Sequence, residues 1–307
     1  MTQVATPVIA HLTPEELSAL NKPRHDSRWW LGKIASTLGM AFIVIYCLVP
    51  FYWMVISSLR LPTMGLSNDY WPNPISFENY PGVFSPQNNF LRAIVNSVVV
   101  SVTTTVLTLV FGIIGAYALA RLRFAAKGLV LGVIIGASMF PGITLLLPLF
   151  KLFTGAYDWM PLHWLNQYQA AIIPSLSFGL PLCVWNLTAF FRQLPVELEQ
   201  AAMVDGCTPG EAFRKVILPL AAPGVFTTAI LTFIAVWNEF MISLTFLQAR
   251  DMKTATVALS QFTGTLGFNT PYGSIMAAGV ITTIPLLILV LFFQRRIVAG
   301  LTAGGVK

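Results

Sequence analysis

Six stretches of this chain are mostly apolar over more than twenty residues: about 35–58, 92–120, 128–152, 169–191, 222–247 and 273–294. A bilayer core about 30 Å thick takes about 20 mostly apolar residues of helix, so each stretch is long enough to cross one. None holds Lys or Arg near its middle, and Glu239 is the one acidic residue well inside any of them. Only 10% of the 307 residues are charged against 56% hydrophobic. An average soluble domain carries roughly a quarter charged residues, which excludes a soluble basic domain as the explanation of the +6 net charge. The expected fold class is an all-α polytopic membrane protein with six transmembrane helices.

The Lys/Arg distribution orients these spans. With the N-terminus cytoplasmic, the inside segments carry Lys22, Arg24, Arg28, Lys33, Arg121, Arg123, Lys127, Arg192, Arg214, Lys215, Arg295, Arg296 and Lys307, against Arg60, Arg92, Lys151, Arg250 and Lys253 outside. Cytoplasmic loops are the ones enriched in Lys and Arg, so both termini are expected in the cytoplasm. The basic charge is then a topology signal and calls for no nucleic acid. Trp29, Trp30, Tyr70, Trp71, Trp159 and Trp164 fall at the expected span edges, where amphipathic rings favour the headgroup level. The first thirty residues hold no apolar h-region, so no cleaved signal peptide is expected and the first span doubles as the insertion signal.

The expected organisation is a cytoplasmic lead over 1–33, a permease domain over 34–296 and a cytoplasmic tail over 297–307. Within the lead, Thr13-Pro14-Glu15-Glu16 reads as a capped helix start. The loop over 59–91 carries Pro62, Pro72, Pro74, Pro81 and Pro86, which favours irregular or short elements. Pro50, Pro141, Pro148, Pro174, Pro181 and Pro285 lie in or near spans and each is expected to bend its helix. Cys47 and Cys183 fall in spans and Cys207 in a cytoplasmic loop, so no disulfide scaffold and no zinc module is expected.

The sharpest local signal lies over 192–221. Pro195 opens a short helix with Glu197 and Glu199 in its first turns, where the helix dipole favours anions. Gly206 supplies the left-handed stop. Thr208-Pro209-Gly210-Glu211 reads as a capping box opening a second helix that ends with Arg214 and Lys215, before Pro219. Leu198, Ala201, Ala202 and Asp205 recur at helical spacing, a narrow face of small and apolar residues that lets a second backbone approach.

This segment resembles the EAA loop of permease subunits in bacterial ATP-binding-cassette importers. That pattern is Glu-Ala-Ala, three residues, Gly, nine residues, Ile, one residue, Leu-Pro. Gln200-Ala201-Ala202 takes the first place here, Gly206 the Gly, Val216 the Ile, and Leu218-Pro219 the ending, with every interval kept. Gln200 replaces the family's Glu, and Glu199, one position early, points about 100° away on a helix. The resemblance extends over almost the whole chain and is nearest to the smaller permease of maltose and trehalose importers, whose tail is similar to Phe293–Lys307.

The resemblance implies the type I importer fold in a bacterial inner or plasma membrane. It also implies a second permease subunit, two ATPase subunits that bind ATP and Mg, and an extracytoplasmic sugar-binding protein or lipoprotein. The loop residues Glu199, Gln200, Ala201, Ala202, Asp205, Gly206, Leu218 and Pro219 would form the ATPase-coupling element. Gly300, Leu301, Thr302, Gly304 and Gly305 would reach into the ATPase pair. The chain itself has no Gly-x-x-x-x-Gly-Lys-Ser/Thr phosphate loop and no Ser/His/Asp grouping, so no catalytic residue, metal or cofactor is expected in it.

Trp237-Asn238-Glu239 is the one polar cluster deep in a span, and ionisable groups at depth usually face a cavity or a partner. The readings are sugar contact along a path that also takes in Asn96, or a polar contact between permease subunits or a plug near the outer gate. Related importers of glycerol phosphate, polyols or amino sugars share this design. A secondary transporter without an ATPase is the alternative from another class; it expects inverted repeats and several ionisable groups near the midplane, where this chain offers Glu239.

Overall fold

The computed structural model describes residues 27–64, 67, 69–262 and 271–303, and the elements found there are helices. An isolated bridge between Thr154 and His163 is the only β pairing among the described residues. The chain order is α1 (Ser27–Ser58), α2 (Asn79–Val83), α3 (Phe90–Arg121), α4 (Lys127–Ser138), α5 (Leu146–Phe153), α6 (Tyr168–Gln193), α7 (Glu197–Val204), α8 (Pro209–Ala212), α9 (Leu218–Leu220), α10 (Ala222–Trp237), α11 (Met241–Phe246), α12 (Ala255–Ser260) and α13 (Tyr272–Ala303). By length and composition α1, α3, α6 and α13 are long and apolar enough to cross a membrane, and six crossings result if each of two bent pairs counts as one.

One bent pair and one helix break interrupt the spans expected from composition, and the other bent pair joins Pro209–Leu220 to Ala222–Trp237 at 70°. The stretch at 128–152 is α4 followed by a tight turn over Gly142–Leu145 and α5, bent by 84°. Pro141 sits at the corner with extended backbone (φ −63°, ψ 110°), since proline has no N–H to continue the ladder and disfavours a helical residue before it. The stretch at 222–247 stops at Trp237 and restarts at Met241. Glu239 causes the restart: its carboxylate accepts hydrogen bonds from the backbone N–H groups of Ile242 (2.7 Å) and Ser243 (3.0 Å), satisfying donors that a helix start leaves open. Pro50, Pro174, Pro181 and Pro285 lie inside helices that continue past them.

Residues 54–303 hold their core around α3, which packs chiefly on α6 and then on α10. Small residues on α3 make the close approach possible: Ala93, Ser97, Ser101, Thr104, Thr108, Gly112 and Ala116 are all buried. Three apolar clusters follow its length. Phe90 and Ala93 pack with Phe262, Ala277 and Ala278 at one end. Val100 joins Phe153, Val236 and Phe246 in the middle. Ala116 joins Leu187, Phe191 and Ile217 at the end that carries the 192–221 loop.

The proline-rich loop is irregular, as expected, and is fastened by buried Asn79. Its amide donates to the carbonyls of Ser58 (3.0 Å) and Arg60 (2.6 Å).

Candidate coupling site

The 192–221 loop folds as two helical arms around Gly206. Gly206 takes φ +92°, a left-handed conformation that costs an L side chain roughly 1–2 kcal/mol, and this turns the chain back after α7. The capping box forms as read from sequence: Thr208 Oγ1 accepts from Glu211 N (3.3 Å), while Glu211 Oε2 accepts from Thr208 N (2.9 Å). Lys215 Nζ donates to Glu211 Oε1 at 2.8 Å. That contact first, and then the bonds from Thr208, hold the Glu211 carboxyl well below the usual carboxylate range.

A carboxylate with a depressed pKa adds stability above its unfolded value and loses it as pH falls through the folded one. The Glu211 contribution is therefore complete above about pH 4 and is lost as pH falls toward about 2. Thr208→Ala removes the cap at a cost of about 1 kcal/mol, read as several-fold faster amide exchange over 209–213.

Pro219 does not end the second arm. The backbone widens into a π turn over Phe213–Ile217 and resumes helix at Leu218–Leu220. Pro219 cannot donate to the carbonyl four residues back and its ring crowds that carbonyl; the wider turn relieves both.

Glu199 is the residue whose role the sequence spacing did not disclose. It turns away from the exposed side of α7 toward α3, where its carboxylate accepts a hydrogen bond from Tyr117 Oη. Arg121 Nε lies 3.5 Å from it, and Arg121 Nη2 donates to Leu194 O at 2.8 Å. The Tyr117 ring packs on Phe213 (4.4 Å between centroids) and Phe191 (5.9 Å). A salt bridge thus exists beside the Gln200 position, formed by the acid one residue earlier and directed into the chain. Arg121 and Tyr117 could have been suspected only from their place at a span end, because nothing local pairs them with residues about eighty positions away.

Between these arms lies a cleft of about 390 Å³ lined by Tyr117, Arg121, Glu199, Gln200, Met203 and Phe213, among others. Ala202 is buried, whereas Leu198, Gln200, Ala201, Met203, Val204 and Asp205 are exposed. The small face expected to meet a partner is therefore split: Ala202 seats the arm on its own chain and Ala201 faces out. Leu218 is half-buried and Pro219 exposed.

The tail residues Gly300, Leu301 and Thr302 lie on the backbone of α13, which runs to Ala303 as helix rather than as a pliable strand of chain. Gly304 and Gly305 lie outside the described residues.

The structure separates the residues grouped as a substrate path. Trp237 is 2% exposed, its ring stacked on Phe233 at 5.7 Å. Asn238 is exposed, with its amide donating to Ile234 O. Glu239 caps α11 and borders a groove of about 170 Å³ between α6 and α10. Asn96 is fully buried; its amide donates to the carbonyls of Asp251 (2.8 Å) and Lys253 (3.0 Å), and its oxygen accepts from Tyr168 Oη (2.7 Å). Trp237 and Asn96 are thus both buried, Asn96 with its amide and oxygen engaged by groups of this chain.

At the opposite end from the 192–221 arms is a polar depression of about 270 Å³. Gln87, Asn88, Gln248, Arg250, Lys253 and Gln261 line it with Ala258 and Phe262, and no carboxylate is among them.

The comparisons with known proteins agree with this architecture. The sequence profile of the binding-protein-dependent transport system inner membrane component family matches residues 108–302. The chain is 43% identical to the trehalose transport system permease protein SugB of Mycobacterium tuberculosis over 267 residues, covering 86% of this chain and 94% of that protein. It is 39% identical to the trehalose/maltose transport system permease protein MalG of Thermococcus litoralis over 278 residues, covering 90% and 98%. A crystal structure of a bacterial ABC transporter involved in the import of the acidic polysaccharide alginate contains a chain of the same fold, with TM-score 0.74 at 20% identity over 89% of this chain and 99% of that one. With the match spanning both arms of the 192–221 loop and the helices that carry them, this chain belongs to the family of binding-protein-dependent transport system inner membrane components.

Proposed function

We propose that the chain is one of two permease subunits of a sugar importer of the ATP-binding-cassette class, and that it carries a disaccharide such as trehalose or maltose. The observation that carries the coupling part is the outward display of Ala201, Gln200 and Asp205 on an arm whose inner side is fixed by Glu199 and Ala202. A fixed arm with a small exposed face suits a docking element. The sugar class is supported by the 43% and 39% identity to permeases named for trehalose and maltose transport.

In this reading both termini and the 192–221 loop are cytoplasmic, following the Lys/Arg bias. Two partner ATPase subunits bind ATP and Mg and supply the hydrolysis; this chain contributes no catalytic residue. ATPase closure acts through Gln200, Ala201, Asp205 and Gly206, with Leu218 and Pro219 shaping the second arm and residues 300–305 reaching the ATPase pair. The permease pair then alternates between outward- and inward-facing states and releases sugar inward, with Asn238 and Glu239 bordering the path. The extracytoplasmic binding protein docks over the Arg250–Lys253 depression, whose acid-free lining suits an acidic rim.

The test is reconstitution of the full complex with Ala201→Arg, at an exposed position, and with Gly206→Val. Loss of sugar uptake and of sugar-stimulated ATPase in both variants is expected. Unchanged values for both quantities overturn the coupling assignment.

A further inference from the structure

Helix α3 is tied at both ends to loops remote in sequence, and the ties are polar. At one end Tyr117 and Arg121 hold Glu199, and Arg121 also holds the carbonyl of Leu194 at 2.8 Å. At the other end Asn96 donates to the carbonyls of Asp251 and Lys253, and Ser97 Oγ accepts from Ala255 N at 2.8 Å. These bonds fasten the strap 250–255, which carries the two cations of the polar depression. From Asn96 to Tyr117 the axis spans about 32 Å at 1.5 Å per residue.

Between the two ties the contacts differ in kind. Ser101, Thr104, Thr105 and Thr108 are buried, and their hydroxyls have no hydrogen-bond partner among the described residues. Small side chains and Gly112 form the contact with α6 there; a weak Cys183 Sγ to Thr108 O contact at 3.5 Å is the directional exception. Stiffness also sets α3 apart. Of the four long apolar helices, α1, α6 and α13 have proline inside, at Pro50, at Pro174 and Pro181, and at Pro285, whereas α3 has none. Proline is the commonest cause of a sharp bend, so a proline-free helix of this length transmits displacement with least loss.

We propose that α3 is a transmission shaft: the Glu199 tie and the Asn96 tie make it move the extracytoplasmic strap 250–255 when the coupling arm moves. The four long helices are thereby unequal. Although α6 and α10 flank the coupling loop in sequence, α3 carries its displacement to the far side. Glu199, Arg121 and Asn96 are positioning residues in this scheme, acting through the helix and not on the sugar. The proposal rests on the coupling assignment above and adds the route and its far end.

The experiment uses the complete reconstituted complex, with the native cysteines replaced and a single label on Asp251→Cys, an exposed site in the strap and outside the lining of the polar depression. The label signal is compared without nucleotide and after trapping with ATP and vanadate. The wild-type signal shifts; Glu199→Gln, which keeps an acceptor for Tyr117, and Asn96→Ala each lose most of the shift, while Arg121→Lys retains part of it.

The decisive readout is the double variant. Independent damage at sites this far apart adds, so a shaft predicts that Glu199→Gln and Asn96→Ala together lose no more coupling of uptake to hydrolysis than the worse single variant. Additive losses overturn the proposal. So does ATP-driven uptake by the wild-type complex with no signal change at the label. Absence of ATP-driven uptake in the wild type instead overturns the coupling assignment, and the shaft with it.

Discussion

Arg121→Ala lowers the unfolding free energy of the purified protein by about 2–4 kcal/mol, the largest single-residue loss expected at the coupling end. The side chains of Arg121 and Glu199 are 11% and 13% exposed. Removing the guanidinium strands a carboxylate whose remaining partner is the neutral Tyr117 hydroxyl. Breaking a buried pair from one side costs more than the pair contributes, because the surviving charge stays desolvated.

The carbonyl of Leu194 loses its donor in the same substitution, so α6 is released from α3 just where the arm begins. Glu199→Gln is expected to cost less, since the amide oxygen still accepts from Tyr117 and the guanidinium it leaves without a counter-charge keeps its bond to Leu194 O. Thermal unfolding in one detergent, with both variants beside the wild type, gives the ordering. A cost for Arg121→Ala no larger than that of an exposed pair, below about 1 kcal/mol, contradicts the burial argument.

The second large effect is steric. A Cβ on Gly112 overlaps Cys183 Sγ where α3 crosses α6, and both helices are held by long contacts on either side. Overpacking a filled interface costs about 1–3 kcal/mol and occasionally more, and Gly112→Leu is expected at the upper end of that range or beyond it. Gly115, three residues on, is the control. A Cβ there meets Val184 Cγ2 at 3.6 Å, an ordinary contact, so Gly115→Ala gains helix propensity and is expected to stabilise by up to about 1 kcal/mol. The two glycines share a helix and a composition but carry opposite expected signs. Unfolding of Gly112→Ala, Gly112→Leu and Gly115→Ala measures both; removal of the Cys183 side chain with Cys183→Gly should recover most of the Gly112→Ala loss.

Residues legible from sequence were those whose partners are close along the chain. The Thr208 and Glu211 capping box, the left-handed Gly206 and the long helices α3 and α6 all follow from local rules, since a cap or a turn is decided within four residues. Glu199 shows the limit of that reading. Helical spacing correctly turned it away from Gln200, but which group waited there depended on α3 returning beside α7, and no local pattern encodes that return.

Trp237 and Asn96 show the same limit from the other side. A polar or amphipathic side chain in an apolar span marks a cavity or a tie equally well, and no local pattern discloses Phe233 beside one or the 251–253 carbonyls beside the other.

By itself the sequence determined the helical class, the apolar stretches, the capped two-arm loop and the small residues that permit close helix contact. All are consequences of hydropathy and short-range sterics. The tertiary structure decided where apolar stretches break, at Pro141 and at Glu239. It also decided that Pro219 is absorbed by a π turn instead of ending its helix, and that Glu199 is spent inward on Tyr117 and Arg121. The physical reason is common to all of them. Hydrogen-bond satisfaction in a low-dielectric interior is settled by whichever donor or acceptor the fold delivers, and proximity between residues eighty positions apart is a property of packing alone.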